Sequence, residues 1–251
     1  MKKKNNTAVY PEISAQKNIF AHTDALTFLS GIPSGTADLV FSDPPYIISR
    51  RTGFHAVGQK GVPRFAVNMD FGKWDNIPLP EHNSLMGKIL CESFRILKNG
   101  GTCIFWYDLF KLETLKTWYE QAGFTQIRFI EWIKTNPVPL NSKTNYLTNS
   151  RETALTGVKK GKPVFNSVYD NGVYSAPIHR DGGKRLHPCQ KPLGITRQII
   201  EKHTHPEGIV VDMFCGSGTT LCAAKLTSRR YFGCETDEIY FKIAAKRLKN
   251  T

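Results

Sequence analysis

Apolar and polar positions along this chain fall into two alternating patterns. Short apolar runs of strand length recur: IFAH (19–22), ADLVFSD (37–43), TCIFWY (102–107), IRFIEWIK (127–134), GIVVDMF (208–214) and RRYFGCE (229–235). Each is bounded by Gly, Pro, Asn or Asp, as buried strands are. ETALTGVKK (152–160) reads as a further strand. Between the runs lie stretches with helical spacing. One opens near Asp24, a good N-cap. Another covers 82–97 and ends at Asn-Gly-Gly, and LFKLETLKTWYEQAGF (109–124) ends on a glycine stop. A further helix starts at Pro192, one grows out of GSGTTLCAAKL (216–226), and one closes the chain over 237–250.

Strands alternating with helices imply a parallel sheet covered on both faces, in a single α/β domain. Ligands of such sheets bind beyond the carboxyl ends of the strands. Two stretches break the pattern. Residues 47–80 mix glycine, proline and charge without a period, and read as a long, mobile loop. The polar stretch 135–150 and the basic stretch 159–186 also lack a period. With the strand between them they read as a small insertion at about 134–186.

Charge sharpens the picture. The formal net charge over 251 residues is +13, which favours a polyanionic partner. An excess of seven positive charges falls between Lys134 and Lys191. Candidate phosphate contacts are Lys143, Lys159, Lys160, Lys162, Arg180, Lys184 and Arg185, with Arg50 and Arg51 in the earlier loop. Asn136, Asn141, Asn145, Tyr146, Asn149 and Tyr169 are candidate readers of base edges or stacking partners. The six cysteines form no CxxC pair and read as buried apolar residues of a reducing compartment. The opening MKKKNNTAVYPEIS has no apolar segment behind its lysines, and no run of about 18 apolar residues occurs. A soluble, cytoplasmic protein with no metal centre is expected.

Three strand ends carry the candidate chemistry. In VVDMFCGSGTT, Gly216 and Gly218 stand between a strand and a helix. Glycine allows close backbone approach, and the helix start supplies free N–H groups. Neither a full GxGxxG nor a GxxxxGK[ST] is present. Glu235 ends the next strand, where a carboxylate can accept both hydroxyls of a ribose. Together these features indicate an adenosine-type cofactor. FSDPPY (41–46) is more specific. The prolines fix φ and push the residues before them toward extended geometry. The Asp43 carboxylate and a main-chain carbonyl of Pro44 can then converge on one point, with the ring of Tyr46 beside them. An exocyclic amine on a flat ring needs two acceptors and a stacking surface of this kind.

The pair DPPY and FCGSGTT resembles the amino-methyltransferases of DNA. DPPY comes first and the glycine motif about 170 residues later. That circularly permuted order resembles their beta class, as do HPCQKP (187–192) and the closing RRYFGCETDEIYFKIAAKRL. Two departures from its pattern are Met213, where proline is frequent, and Cys189, where threonine is usual.

The resemblance implies a Rossmann-like, seven-stranded, mostly parallel sheet with one reversed strand, and S-adenosyl-L-methionine as cofactor. It places Asp43, Pro44, Pro45 and Tyr46 at the reacting amine. It places Asp212, Phe214, Gly216, Gly218, Thr219 and Thr220 around the methionine half of the cofactor, Glu235 on the ribose and Asp24 at the adenine edge. Gln190 and Lys191 fall near the methionine carboxylate. Target recognition falls between the two motifs, and the implied acceptor is N6 of an adenine flipped out of DNA. A homodimer is also implied, and a cognate restriction endonuclease is left open. N4 of cytosine is the alternative acceptor. An RNA or protein amino-methyltransferase would more usually carry an NPPY-type turn and the opposite motif order. A nicotinamide dehydrogenase would explain the glycine turn but not DPPY, and a catalytically dead DNA-binding module would not need both motifs intact.

Overall fold

The computed structural model describes residues 18–46, 78–137, 148–178 and 186–251, together with the backbone of two strands at 54–57 and 63–67. Arg50, Arg51, Lys143, Arg180, Lys184 and Arg185 lie outside the described residues, as do Asn141, Asn145 and Tyr146.

In chain order the elements are β1 (Ile19–His22), α1 (Ala25–Ser30), β2 (Ala37–Ser42), β3 (Phe54–Val57), β4 (Pro63–Val67), α2 (Leu79–Ile96), β5 (Leu97–Tyr107), α3 (Leu112–Ala122), β6 (Thr125–Lys134), β7 (Arg151–Val158), β8 (Val173–Ala176), α4 (Leu193–His203), β9 (Ile209–Asp212), α5 (Thr219–Leu226), β10 (Arg230–Glu235) and α6 (Glu238–Asn250). The main sheet has eight strands in the order β1-β10-β9-β2-β5-β7-β6-β8. All run parallel except β7, which opposes both its neighbours.

This is the expected architecture with one strand more than the expected seven. The extra strand, β8, pairs with β6 at the sheet edge, Glu131 opposite Val173. Two of the segments assigned to the 134–186 insertion, β7 and β8, are therefore sheet strands. The stretch read as a loop over 47–80 holds an antiparallel pair, β3 and β4, and its last residues open α2. No described helix is long and apolar enough to cross a membrane.

Apolar runs such as LVF and CIFWY look continuous because both faces of these strands are buried. Val40, Cys103, Phe105 and Tyr107 point to one side, where residues of α1, α2 and α3 such as Phe28, Ile89 and Tyr119 complete a core. Leu39, Phe41, Ile104 and Trp106 point to the other, against Ile195, Ile199 and Ile200 of α4 and Ala223 and Ala224 of α5. α6 packs on α5 through Leu248, which meets Leu221 and Cys222. The helix boundaries follow local chemistry. The Asp24 carboxylate accepts from Thr27 N at 2.9 Å, and Gly123 stops α3 with φ 99°.

The topology fixes the site. β2 and β9 are parallel neighbours, Leu39 opposite Val210 and Val40 opposite Val211. The SDPPY turn leaves the end of β2, and the glycine turn leaves the end of β9. Motifs about 170 residues apart in the chain therefore open side by side at the carboxyl edge of the sheet.

Candidate active site

A cavity of about 260 Å³ lies at that edge. Asp43, Pro44, Pro45 and Tyr46 line it from the end of β2, Asp212, Phe214, Gly216, Ser217, Thr219 and Thr220 from β9 and α5, and Glu235 and Thr236 from β10. Asp24 closes one end, and Gln190 and Lys191 close another.

The glycine turn is shaped by two left-handed residues, Gly216 at φ 50° and Gly218 at φ 80°. A side chain on Gly218 would press against Ala244 of α6 at 3.0 Å. Glu235 ties this turn to β10. One carboxylate oxygen accepts from Gly216 N at 2.7 Å and the other from Asp237 N at 2.9 Å. Burial raises its pKa despite these bonds. Each oxygen keeps a second lone pair for a further donor.

Beneath the turn, the buried Asp212 carboxylate accepts from Ser42 Oγ at 2.5 Å and Phe214 N at 3.0 Å. Burial pushes its pKa up to about 6, with the Asp43 charge adding to the rise.

The catalytic turn is pinned on both flanks. His82 Nε2 donates to the Pro45 carbonyl at 2.9 Å, and Lys111 Nζ donates to the Tyr46 carbonyl at 2.5 Å. Neither bond takes the Pro44 carbonyl. The Tyr46 hydroxyl donates to one Asp43 oxygen, and Lys191 Nζ donates to the other at 2.5 Å. Lys191 also meets Glu152 of β7 at 3.1 Å, and Glu152 meets Lys134 of β6 at 2.8 Å.

Four groups thus alternate in sign: Asp43, Lys191, Glu152, Lys134. Burial raises the pKa of Asp43, while Lys191 and the Tyr46 hydroxyl oppose the rise. Burial acts the same way on Glu152, but the two lysines outweigh it and hold that carboxyl below its usual range. Burial would lower the pKa of Lys191, yet its two carboxylate partners raise it, so it stays charged.

Every residue read as catalytic or cofactor-binding lies in the cavity wall except Gly218, which shapes the turn from behind. Three placements differ. Lys191, expected by the methionine carboxylate, has its ammonium on Asp43 and Glu152. Tyr46, expected to offer only a ring face, also gives its hydroxyl to Asp43, and its ring meets Tyr107 edge-on at 5.4 Å. The third concerns Lys159, Lys160 and Lys162. They follow β7, whose reversed direction delivers them beside the start of β5, at the edge of the sheet away from Asp43. There Lys159 donates to the carbonyls of Leu97 and Arg95 at 2.8 and 3.1 Å, closing the end of α2.

Glu152, His82 and Lys111 were missed by sequence reasoning. For Glu152 a signal existed, a carboxylate opening an otherwise apolar strand. His82 and Lys111 gave none, since their bonds are to main-chain carbonyls 37 and 65 residues away.

A family model described as DNA methylase, of the N6/N4 type, matches residues 37–246. The chain belongs to the DNA methylase family. It is similar to the type II methyltransferase M2.DpnII of Streptococcus pneumoniae, 32% identical over 95% of this chain and 92% of the relative. Among solved structures, M1.HpyAVI in complex with S-adenosyl-L-methionine aligns with a TM-score of 0.66 at 26% identity, over 92% of this chain and 99% of that one. The cytosine-N4-specific PvuII methyltransferase shares the fold, with a TM-score of 0.71 at 17% identity, over 91% of this chain and 85% of that one. In this DNA methylase both diagnostic turns fall inside the matched region. The cavity joins a fixed acceptor pair to a glycine cradle with an anchored carboxylate.

Proposed function

We propose that this DNA methylase transfers a methyl group from S-adenosyl-L-methionine to N6 of an adenine flipped out of duplex DNA. One observation carries the reading: Asp43 and Pro44 line the same cavity as Gly216, Ser217 and Glu235. The cavity fits the cofactor. Gly216 and Gly218 keep the turn open for close approach, and the Glu235 oxygens are held by backbone N–H groups with capacity left for ribose hydroxyls. Asp24, Gln190, Asp212, Phe214, Thr219 and Thr220 complete the wall. When bound, the cofactor supplies an electrophilic methyl on a sulfonium.

The chain's own residues supply acceptors and alignment. The amine of adenine is a weak nucleophile because its lone pair is delocalised into the ring. Hydrogen bonds from that amine to Asp43 and to the Pro44 carbonyl favour a pyramidal nitrogen with a usable lone pair. His82 and Lys111 hold the neighbouring carbonyls, so the pair stays aimed. Alignment of this kind is worth roughly 7–11 kcal/mol. The proton leaves to solvent after transfer, and Asp43 acts as acceptor and orienter.

Adenine is favoured over cytosine by the Asp of DPPY, since the N4-cytosine members this motif resembles more often carry Ser there. Target recognition is assigned to residues 134–186, helped by the 47–80 loop. Asn136 ties the exits of β6 and β8, accepting from Ile178 N at 2.6 Å. Nucleoside analysis of DNA treated with the enzyme and labelled cofactor tests the assignment. N6-methyladenine is the expected product, and N4-methylcytosine as the main product refutes it.

A further inference from the structure

The segment after β5 leaves the sheet at the same edge as Asp43 and presents two large apolar side chains outward. Leu109 is 52% exposed and Phe110 is 93% exposed. Exposed apolar residues are common singly, but this pair is mounted on a braced turn. The Asp108 carboxylate accepts from Phe110 N at 3.1 Å, and Lys111 N donates to the Asp108 carbonyl at 2.9 Å. Lys111 Nζ then fastens the turn to the Tyr46 carbonyl at 2.5 Å, within the catalytic turn itself. α3 begins at the next residue, Leu112. An exposed aromatic ring thus stands one residue before the lysine that bonds the Tyr46 carbonyl, at the sheet edge where the DPPY turn opens.

We propose that Phe110 enters the base stack of the substrate duplex and fills the space left by the target nucleotide. The proposal rests on the reading that the acceptor is a base of duplex DNA, and it is indifferent to whether that base is adenine or cytosine. Its logic is geometric. Asp43 lies inside a cavity, so the amine reaches it only after the nucleotide has left the stack, at a cost of a few kcal/mol. The vacated position exposes two base faces to water. A flat apolar ring held at that edge covers them and holds the extruded state open. Apolar wedges between base steps are an established way of stabilising distorted DNA. The net charge of +13 supplies the attraction to the duplex. Phe110 is then a positioning residue, acting on the equilibrium between stacked and extruded base.

The test compares the full-length enzyme with Phe110→Ala and Phe110→Trp on two substrates. The first is a duplex that the wild type methylates. The second is the same target strand with an abasic site opposite the target, which lowers the work of extrusion. Phe110→Ala should lower kcat/KM on the paired duplex by about 5- to 150-fold, the range that loss of one stacking contact gives. On the abasic duplex it should stay within about threefold of wild type, and Phe110→Trp should keep most activity on both. With 2-aminopurine at the target position, the fluorescence rise on binding should be large for wild type and small for Phe110→Ala. Equal loss on both substrates overturns the proposal, because it places Phe110 in folding or pocket shape. No loss on either also overturns it. So does a change in oligomeric state by light scattering that accounts for the lost activity, since the ring would then sit between two copies. If the wild type methylates no duplex at all, it is the reading of the substrate that fails, and that arm is scored before the variants.

Discussion

Replacing Lys191 with methionine should move the pH dependence of the reaction as well as its rate. Lys191 Nζ sits 2.5 Å from Asp43 and 3.1 Å from Glu152, with only 7% of its side chain exposed. Methionine keeps much of the length and removes the charge, leaving two carboxylates facing each other across a dry gap. At an effective dielectric near 20, one contact at about 4 Å is worth roughly 4 kcal/mol. Desolvation offsets part of this, and removal of one partner from a buried pair typically costs about 3–5 kcal/mol. Burial already raises the pKa of Asp43, and the Lys191 charge is the main force against the rise. Withdrawing that support from the ionised form raises the pKa further. Asp43 accepts best from the amine when ionised, so the acid limb of kcat should shift to higher pH. Activity lost on the acid side should return as the pH rises. Labelled-methyl transfer at saturating cofactor and DNA, from pH 6 to 9.5, measures this, with Asp43→Ala as the floor. A profile of wild-type shape, merely scaled down at every pH, would refute the argument.

Four further outcomes follow from the same geometry. Tyr46→Phe keeps the ring but removes the hydroxyl that donates to Asp43, so it should lower kcat several-fold while leaving cofactor affinity unchanged; wild-type kcat would show that only the ring face matters. Glu235→Ala should weaken S-adenosyl-L-methionine binding at least tenfold in titration calorimetry, with Glu235→Gln intermediate, because the alanine also frees Gly216 N and Asp237 N; unchanged affinity removes Glu235 from the site. Asp212→Asn should stabilise the cofactor-free protein at high pH. The folded pKa of about 6 lies above the unfolded 3.8, so the acid form favours folding below about 4 and that contribution is lost as pH rises through 6. The variant should gain up to about 3 kcal/mol at pH 8 and about 1 kcal/mol at pH 4.5, and a Tm difference independent of pH would refute this. Neutralising Lys160 and Lys162 together should leave the salt dependence of DNA binding unaltered, because both follow the reversed strand away from Asp43; a flatter slope of log K against log salt would return them to the interface.

The parts of the site legible in the sequence were those whose chemistry is local. Asp43-Pro-Pro-Tyr46 and the glycines at 216 and 218 impose backbone geometry on their own segments, whatever surrounds them. The alternation of apolar runs and helical stretches carried the parallel sheet, because a strand buried on both faces cannot hide its composition. What could not be read was where side chains go once distant segments meet. Lys191 has the same place in the sequence whether it faces solvent, a cofactor or Asp43. Only the closeness of α4, β2 and β7 decides, by offering it two carboxylates. β8 escaped notice because VYSA is too short and polar to announce a strand, and it is one only through the bonds that β6 offers. The lysines after β7 could not be placed from the sequence, since charge along a chain carries no direction, and a single reversed strand takes them to the edge away from Asp43.

That reversal also explains why the catalytic carboxylate has such company. A strand parallel to β5 at this position would bring its carboxyl end to the catalytic edge. β7 runs the other way and presents its first residues, Arg151 and Glu152, beside Ile133 and Trp132 at the end of β6. Glu152 therefore arrives at the level of Asp43 with Lys134 next to it, and Lys191 bridges the two acids. Two cations among two anions leave this cluster neutral. Within it Lys191 opposes the rise that burial imposes on the Asp43 pKa, and the cluster adds no net charge beside the amine proposed to bind there. Lys134 is also the last residue of β6, at the start of the 134–186 stretch proposed for target recognition. On that proposal, a cation at this junction joins the segment that reads the DNA to the carboxylate that orients its amine.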